Sequence, residues 1–273
     1  MKKFLLISLF ALLLLPTHAD AATKTKLEVS GWIPYWRAAT GTADALAHLD
    51  AFTEINPFGY TVKNDGTLKD LMHIDDEPWV SFIKAAKAKK VRVIPTVMMS
   101  DGNLIHTLLS NGTTRRQLED DIAALVVAKG FDGIDIDFEG KKATTKPYFA
   151  LFLKGLAIRM PKHWVMCTIE ARTPLSSRYE GTPPPDATTY ANDFVAINKY
   201  CDRVRIMTYD QGTIDLTLNK ARFAPYIPVA DACWDEKVMT LTAQSISKKK
   251  LSIGIATYGY EYSVTPLSEY GFR

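Results

Sequence analysis

Cysteine is scarce in this sequence: Cys167, Cys201 and Cys233 are the three in 273 residues, and no Cys-x-x-Cys occurs. That excludes a small disulfide-stapled scaffold and a zinc ribbon, and the five histidines are scattered without metal-ligand spacing. The sequence therefore implies no metal and no cofactor. Charge of one sign is also lacking: 33 Lys+Arg stand against 30 Asp+Glu, a net +3, too even for a nucleic-acid groove. No G-x-G-x-x-G, no Walker A loop and no G-x-S-x-G are present, which removes the usual signals for dinucleotide binding, P-loop chemistry and a serine nucleophile. Beyond the first residues no apolar run approaches the length of a membrane span, so no stable membrane insertion is expected of the mature domain.

What is present begins with an export signal. Lys2 and Lys3 precede an apolar run from Phe4 to Leu15, Pro16 breaks it, and Ala19-Asp20-Ala21 is an A-x-A cleavage site. Twelve apolar residues are too short for roughly 30 Å of hydrocarbon. Residues 1–21 thus read as a signal peptide, and 22–273 as one secreted, periplasmic or cell-envelope domain. Cys167 lies in an apolar run and reads as a small core residue. The odd cysteine count leaves at least one thiol without a partner in the chain; a Cys201–Cys233 bridge is one option that spacing does not decide.

Seven short apolar runs alternate with helical patterns, at 29–36, 52–62, 91–98, 133–139, 164–171, 203–210 and 251–260. Trp79, Phe82, Ile83 and Ala86 share a helix face, as do Leu118, Ile122, Leu125 and Val126, and then Phe149, Phe152, Leu153, Leu156 and Met160. Asp186 is positioned to cap a helix bearing Tyr190, Phe194 and Ile197. Strand–helix alternation without a long polar linker predicts a parallel sheet covered by helices. Long loops after strands, notably 172–186 with Pro183-Pro184-Pro185, favour an α/β fold of the (β/α)8 TIM-barrel type over an open doubly wound sheet. No eighth strand–helix unit is legible after the seventh. Asn111-Gly112-Thr113 is a glycosylation sequon, meaningful in a eukaryotic host. Aromatic residues reach 11%, which fits either a large core or a sugar-stacking cleft.

The most informative segment is Phe131-Asp132-Gly133-Ile134-Asp135-Ile136-Asp137-Phe138-Glu139. Side chains alternate along a strand, so Asp135, Asp137 and Glu139 share one face and Ile134, Ile136 and Phe138 the other. If the apolar set packs on helices, the acids point into the barrel, with Glu139 nearest the carboxyl end. Crowded buried carboxylates share protons, which raises at least one of them towards the range a general acid needs. A divalent-cation site and a solvated edge strand are the competing readings; no further carboxylate cluster completes a cation cage, and the apolar flanks argue for a central strand.

Asp132 to Glu139 resembles the D-G-x-D-x-D-x-E signature of glycoside hydrolase family 18, the chitinase-like enzymes. Ser30-Gly31-Trp32 resembles that family's first strand, Met207-Thr208-Tyr209-Asp210 its M-x-Y-D, and Gly254-Ile255-Ala256-Thr257-Tyr258-Gly259 its G-x-P-x-Y-G, with Ala256 in place of the usual proline. Tyr209-Asp210-Gln211 and Pro225-Tyr226-Ile227-Pro228-Val229-Ala230 are similar to the bacterial branch with cell-wall and spore-cortex N-acetylglucosaminidases.

The resemblance implies a retaining, substrate-assisted glycosidase acting on N-acetylglucosamine polymers, chitin or peptidoglycan, in which the substrate's 2-acetamido oxygen is the nucleophile. Glu139 is then the acid and later the base. Asp137 orients the acetamido N–H, Asp135 shares a proton with Asp137, and Tyr209 holds the acetamido oxygen. Met207 has the strand parity of Tyr209. Trp32, Tyr258 and Tyr260 are candidates for stacking on sugar rings, with core aromatics as the alternative. Asp210 and Gln211 are candidates for binding hydroxyls, with loop capping as the alternative. The second function class is a non-catalytic, chitinase-like carbohydrate-binding protein; inactive relatives commonly lose the motif's acid, and Glu139 is present.

Overall fold

The computed structural model describes residues 27–179, 181–213, 228–261 and 263. The expected signal peptide and the Pro225-Tyr226-Ile227 part of the branch motif lie outside them. The described strands form one sheet. They are β1 (Ser30–Pro34), β2 (Glu54–Val62), β3 (Leu68–Asp70), β4 (Arg92–Val93), β5 (Thr96–Met99), β6 (Gly133–Phe138), β7 (Trp164–Glu170), β8 (Arg203–Met207) and β9 (Leu251–Ile253). The order is β1-β2-β5-β6-β7-β8-β9, every neighbour parallel, with β3 an antiparallel addition to β2. This is the curled α/β sheet of a (β/α) barrel with seven strand positions in sequence order.

The curl is visible in contacts between β8 and the segment at β1, which are not neighbours in the sheet order. Arg203 of β8 pairs with Glu28 just before β1 at 2.6 Å, and Arg205 reaches Ser30 Oγ at 3.0 Å. At the amino-terminal end of the strands Trp164 lies between the guanidiniums of Arg92 and Arg203, 4.1 and 4.6 Å from its ring centre.

The helix stripes land where the periodicity puts them, on helices Trp79–Ala88, Gly112–Lys129 and Lys146–Arg159. Ile134, Ile136 and Phe138 are fully buried on the outer face of β6, and Phe138 stacks on Phe152 at 5.5 Å. Burying each such side chain contributes roughly 1.5–3 kcal/mol, so the apolar half of the motif fixes which way the acids point. Gly130, at φ 61, ends the preceding helix in the left-handed conformation that a Cβ disfavours. Asn111 of the sequon caps that helix at its start, accepting from the N–H groups of Thr113 and Thr114.

Several expectations are corrected. The run 91–98 is split into β4 and β5, because Pro95 has no N–H for the ladder; Asn56 Nδ2 donates instead to the Ile94 carbonyl at 2.8 Å. β8 stops at Met207, since Thr208 turns back onto the carbonyls of Ile206 and Gly254 and Asp210 has φ 58. β9 stops at Ile253 rather than running to 260. Asp193, not Asp186, caps helix Phe194–Tyr200, accepting from Val195 and Ala196. Helices Ala38–Ala47, Gly102–Ser110 and Ala232–Thr242 are additional.

Cys167 is a core residue as expected, but it is disulfide-bonded to Cys201, which overturns the Cys201–Cys233 option. Asp202 N donates to Val165 O at 2.7 Å, and this pairing at the start of β8 brings Cys201 beside β7, with a Cα–Cα separation of 6.0 Å. Cys233 is exposed near the start of helix Ala232–Thr242. Among the described residues no helix is long and apolar enough to cross a membrane.

Candidate active site

The acids of β6 lie on the inner face of the sheet, but they occupy three different environments. Asp135 is fully buried, and all its bonds are received: from Thr96 Oγ1 at 2.8 Å, Thr168 Oγ1 at 2.8 Å, Arg205 Nη1 at 3.1 Å and Trp32 Nε1 at 3.3 Å. Arg205 is the hub of this layer. Its other nitrogen, Nη2, donates to Glu54 at 3.2 Å, Asn56 at 3.0 Å and Ser30, and its guanidinium lies 4.1 Å from the Trp32 ring centre. Trp32 is thus held between the hub and Asp135. Burial pushes Glu54 above the usual carboxylate range, against the opposing pull of Arg205.

Asp137 sits one step higher and is also buried, with Oδ1 lacking a hydrogen-bond partner among the described residues. Burial, then Asp135, then Glu139 push its pKa up to about 8, so it carries a proton at neutral pH. Glu139, partly exposed at the rim, is raised by burial and by Glu170, while Lys141 and a hydrogen bond from Asp137 pull it down. In this structure the shared hydrogen bond of the row therefore joins Asp137 and Glu139, while Asp135 belongs to Arg205. Its orphan oxygen leaves Asp137 one acceptor position unused.

Tyr209 follows β8. Its hydroxyl is raised above the ordinary phenol range by burial and by the neighbouring Asp137 and Glu139, which places it with the acids. Met207, on the same parity, is buried at the end of β8. Asp210 accepts from the hydroxyls of Tyr258 and Tyr260 at 2.9 Å each, and both rings are about half exposed. Tyr258 also meets Tyr209 edge to face at 6.2 Å. Gln211 is fully buried with neither end of its amide hydrogen-bonded among the described residues, its backbone N–H donating to Val229.

Sequence reasoning missed a second group that borders Glu139. Lys141, its ammonium buried, donates to the Phe138 carbonyl and lies 3.6 Å from Glu170 Oε2. Glu170 accepts from Gly140 N and Asn192 Nδ2, both at 2.9 Å, and Tyr190 Oη donates to the Glu170 carbonyl. Burial alone would raise Glu170; Lys141 and these bonds outweigh it and hold it below the ordinary glutamate range. The parity of β7 offered a signal for Glu170, since Met166, Thr168 and Glu170 alternate inward as the acids of β6 do. Lys141, in a Gly-Lys-Lys turn, offered none. A second omission is the exposed Trp36, on the carboxyl side of β1, edge to face with Tyr35 at 5.0 Å and Phe58 at 6.0 Å.

The titratable groups facing Glu139 are Asp137, Glu170, Lys141 and Tyr209. Glu170→Gln removes an anion and leaves Lys141 opposite Glu139. The Glu139 pKa then falls, and the alkaline limb of the kcat/KM profile moves to lower pH, because a general acid works below its pKa. The unpartnered Asn192 Oδ1 can turn to receive the new amide. An alkaline limb that stays in place or moves up refutes this electrostatic link.

A family model described as Glycosyl hydrolases family 18 matches residues 31–270. The uncharacterized glycosylase YvbX of Bacillus subtilis is 25% identical over 60% of this chain and 44% of its own length, so the chain spans less than half of that relative. Among solved structures, a spore cortex-lytic enzyme SleL of Bacillus megaterium superposes with TM-score 0.69 at 20% identity, covering 89% of this chain and 53% of SleL. A chitinase of Chromobacterium violaceum gives 0.66 at 19% identity, over 84% of this chain and 68% of the chitinase. These structural likenesses are likenesses of fold.

Proposed function

We propose that this chain, which belongs to glycosyl hydrolases family 18, is an exported hydrolase of β-1,4-linked N-acetylglucosamine polymers that works with retention through the substrate's own acetamido group. The observation that carries this reading is the inward row Asp135, Asp137, Glu139 with Tyr209 beside it, in which Asp137 holds a proton at neutral pH and hydrogen-bonds Glu139.

In the first step the acetamido oxygen attacks the anomeric carbon. The glycosidic C–O bond breaks as Glu139 gives its proton to the leaving oxygen. The developing oxazolinium is positive, and in this reading the unprotonated oxygen of Asp137 accepts from the acetamido N–H and stabilises it through that hydrogen bond. Tyr209 orients the acetamido group. In the second step Glu139, now a carboxylate, takes a proton from water, which opens the oxazolinium. Holding an internal nucleophile in line supplies several kcal/mol of the barrier. Arg205 keeps Asp135 in place beneath the row, so the charge next to Asp137 is part of the scaffold.

Export is supported by the amino-terminal sequence pattern and by the buried Cys167–Cys201 disulfide, which belongs to an oxidising compartment in most organisms. Trp32, Met207, Asp210, Gln211, Tyr258 and Tyr260 remain proposed contacts to sugar; of these Tyr258 and Tyr260 offer exposed rings.

A β-1,4-glucan of equal length should be refused, because it carries no internal carbonyl nucleophile. The assay is release of reducing ends from an N-acetylglucosamine hexamer and from cellohexaose. Comparable rates on the two would overturn the substrate-assisted mechanism, and binding of the hexamer without turnover would favour the carbohydrate-binding alternative.

A further inference from the structure

Two arginines on the loop that leaves β7 have no acidic partner among the described residues. Arg172 lies two residues beyond Glu170, and its guanidinium stacks 4.2 Å from the centre of the Tyr190 ring, whose hydroxyl holds the Glu170 carbonyl. Arg172 Nη2 and Arg178 Nη2 both donate to the Ala187 carbonyl, at 2.7 and 3.3 Å, so the two cations stand side by side on one acceptor. Arg178 Nε adds a bond to the Thr173 carbonyl at 3.1 Å. Among the described residues no carboxylate forms an ion pair with either, while Arg203, Arg205 and Arg159 each have at least one. Both side chains are half-buried. Thr173 follows Arg172 in the chain, and its hydroxyl is buried without a hydrogen-bond partner among the described residues.

A loop staple needs one guanidinium for one carbonyl. A second places like charge against like charge in a partly desolvated position. Burial and the nearness of Arg178 both push Arg172 below the usual arginine range, the direction expected for a pair lacking its anion. Arg172 commits one of its five N–H groups in these bonds and Arg178 two, which leaves forked donors of the geometry that suits a carboxylate.

We propose that Arg172 and Arg178 form a carboxylate-recognising subsite at the rim of the glycan cleft, and that the substrate is an acidic N-acetylglucosamine glycan of the peptidoglycan type rather than neutral chitin. This rests on the hydrolase reading above and refines its substrate. The position fits: Glu170, two residues before Arg172, accepts from Gly140 N next to Glu139, so the loop that bears the pair leaves β7 beside the acid. Chitin offers this pair no anion. In peptidoglycan alternate sugars carry a lactyl ether whose carboxyl is either free or extended by a peptide with carboxylates of its own.

The test uses the full chain carrying Glu139→Gln, so that binding is read without turnover. Calorimetry compares three probes of matched length: an N-acetylglucosamine oligomer, a peptide-free strand with free lactyl carboxylates, and the same strand with its peptides. The expected result is tighter binding of at least one acidic strand, and the acidic arm that leads identifies which carboxylate is read. In Arg172→Gln/Arg178→Gln the acidic-to-neutral affinity ratio should fall about tenfold or more. An unchanged ratio, or equal binding of all three probes by the parent, overturns the proposal. Should the double variant not fold, salt titration of the parent decides: affinity for the acidic strand must weaken with salt while that for the neutral oligomer does not. The hydrolase reading fails separately, if the chain with Glu139 intact cleaves none of the three while the affinity pattern holds.

Discussion

Glu139→Gln is expected to lower turnover of an N-acetylglucosamine oligomer by about 10²–10⁴-fold, the usual contribution of a general acid–base group. Glutamine keeps the shape and still accepts the hydrogen bond from Asp137, so the row stays in place, but it has no proton to give the leaving oxygen. Affinity should survive, since the exposed rings of Tyr258 and Tyr260 and the contacts of Asp137 and Tyr209 remain. Loss of kcat with little change in binding marks a group used chiefly in the transition state. Tyr209→Phe, which removes one orienting hydroxyl, should be milder. Product release and calorimetric affinity measured on the same preparation check both; turnover within about twofold of the parent would end the general-acid assignment.

Arg205→Met is expected to destabilise the fold by about 3–5 kcal/mol, as removing one partner of a buried ion pair does. Arg205 answers two buried carboxylates, Asp135 at 3.1 Å and Glu54 at 3.2 Å, and methionine leaves both without it. The sign with pH follows from Glu54, whose folded pKa already stands above the ordinary value because of burial. A carboxyl raised in the folded state favours folding below its unfolded pKa of about 4.3, and that support is lost as pH rises through the folded value. Without Arg205 the folded value moves further up, so the variant should lose most near neutral pH and least near pH 4. Urea unfolding at the two pH values reads this. Equal destabilisation at both would mean that lost packing on Trp32, not charge, carries the effect.

The acid row was legible because strand alternation is a local property. Ile134, Ile136 and Phe138 need a greasy neighbour, and that need alone turns Asp135, Asp137 and Glu139 to the other face. The helix stripes over Phe82, Ile122 and Phe152 were legible for the same reason. The ends of β8 and β9 were not. Apolar runs continue past them, and what stops the ladder is a turn of Thr208 onto Gly254, a contact between segments 46 residues apart.

By itself, then, the sequence determined the parallel α/β sheet, the family, and which face of β6 carries the acids, since each rests on period and on short-range motif. Only the tertiary structure decided how the three acids are partnered: Asp135 with Arg205, 70 residues away, and Asp137 with Glu139. It likewise decided that Cys167 pairs with Cys201, that Lys141 and Glu170 flank the acid, and that Arg172 and Arg178 meet on one carbonyl. The reason is physical. These partners are charges and thiols whose energy depends on separation and burial, and the curl of the sheet, which no local pattern encodes, sets both.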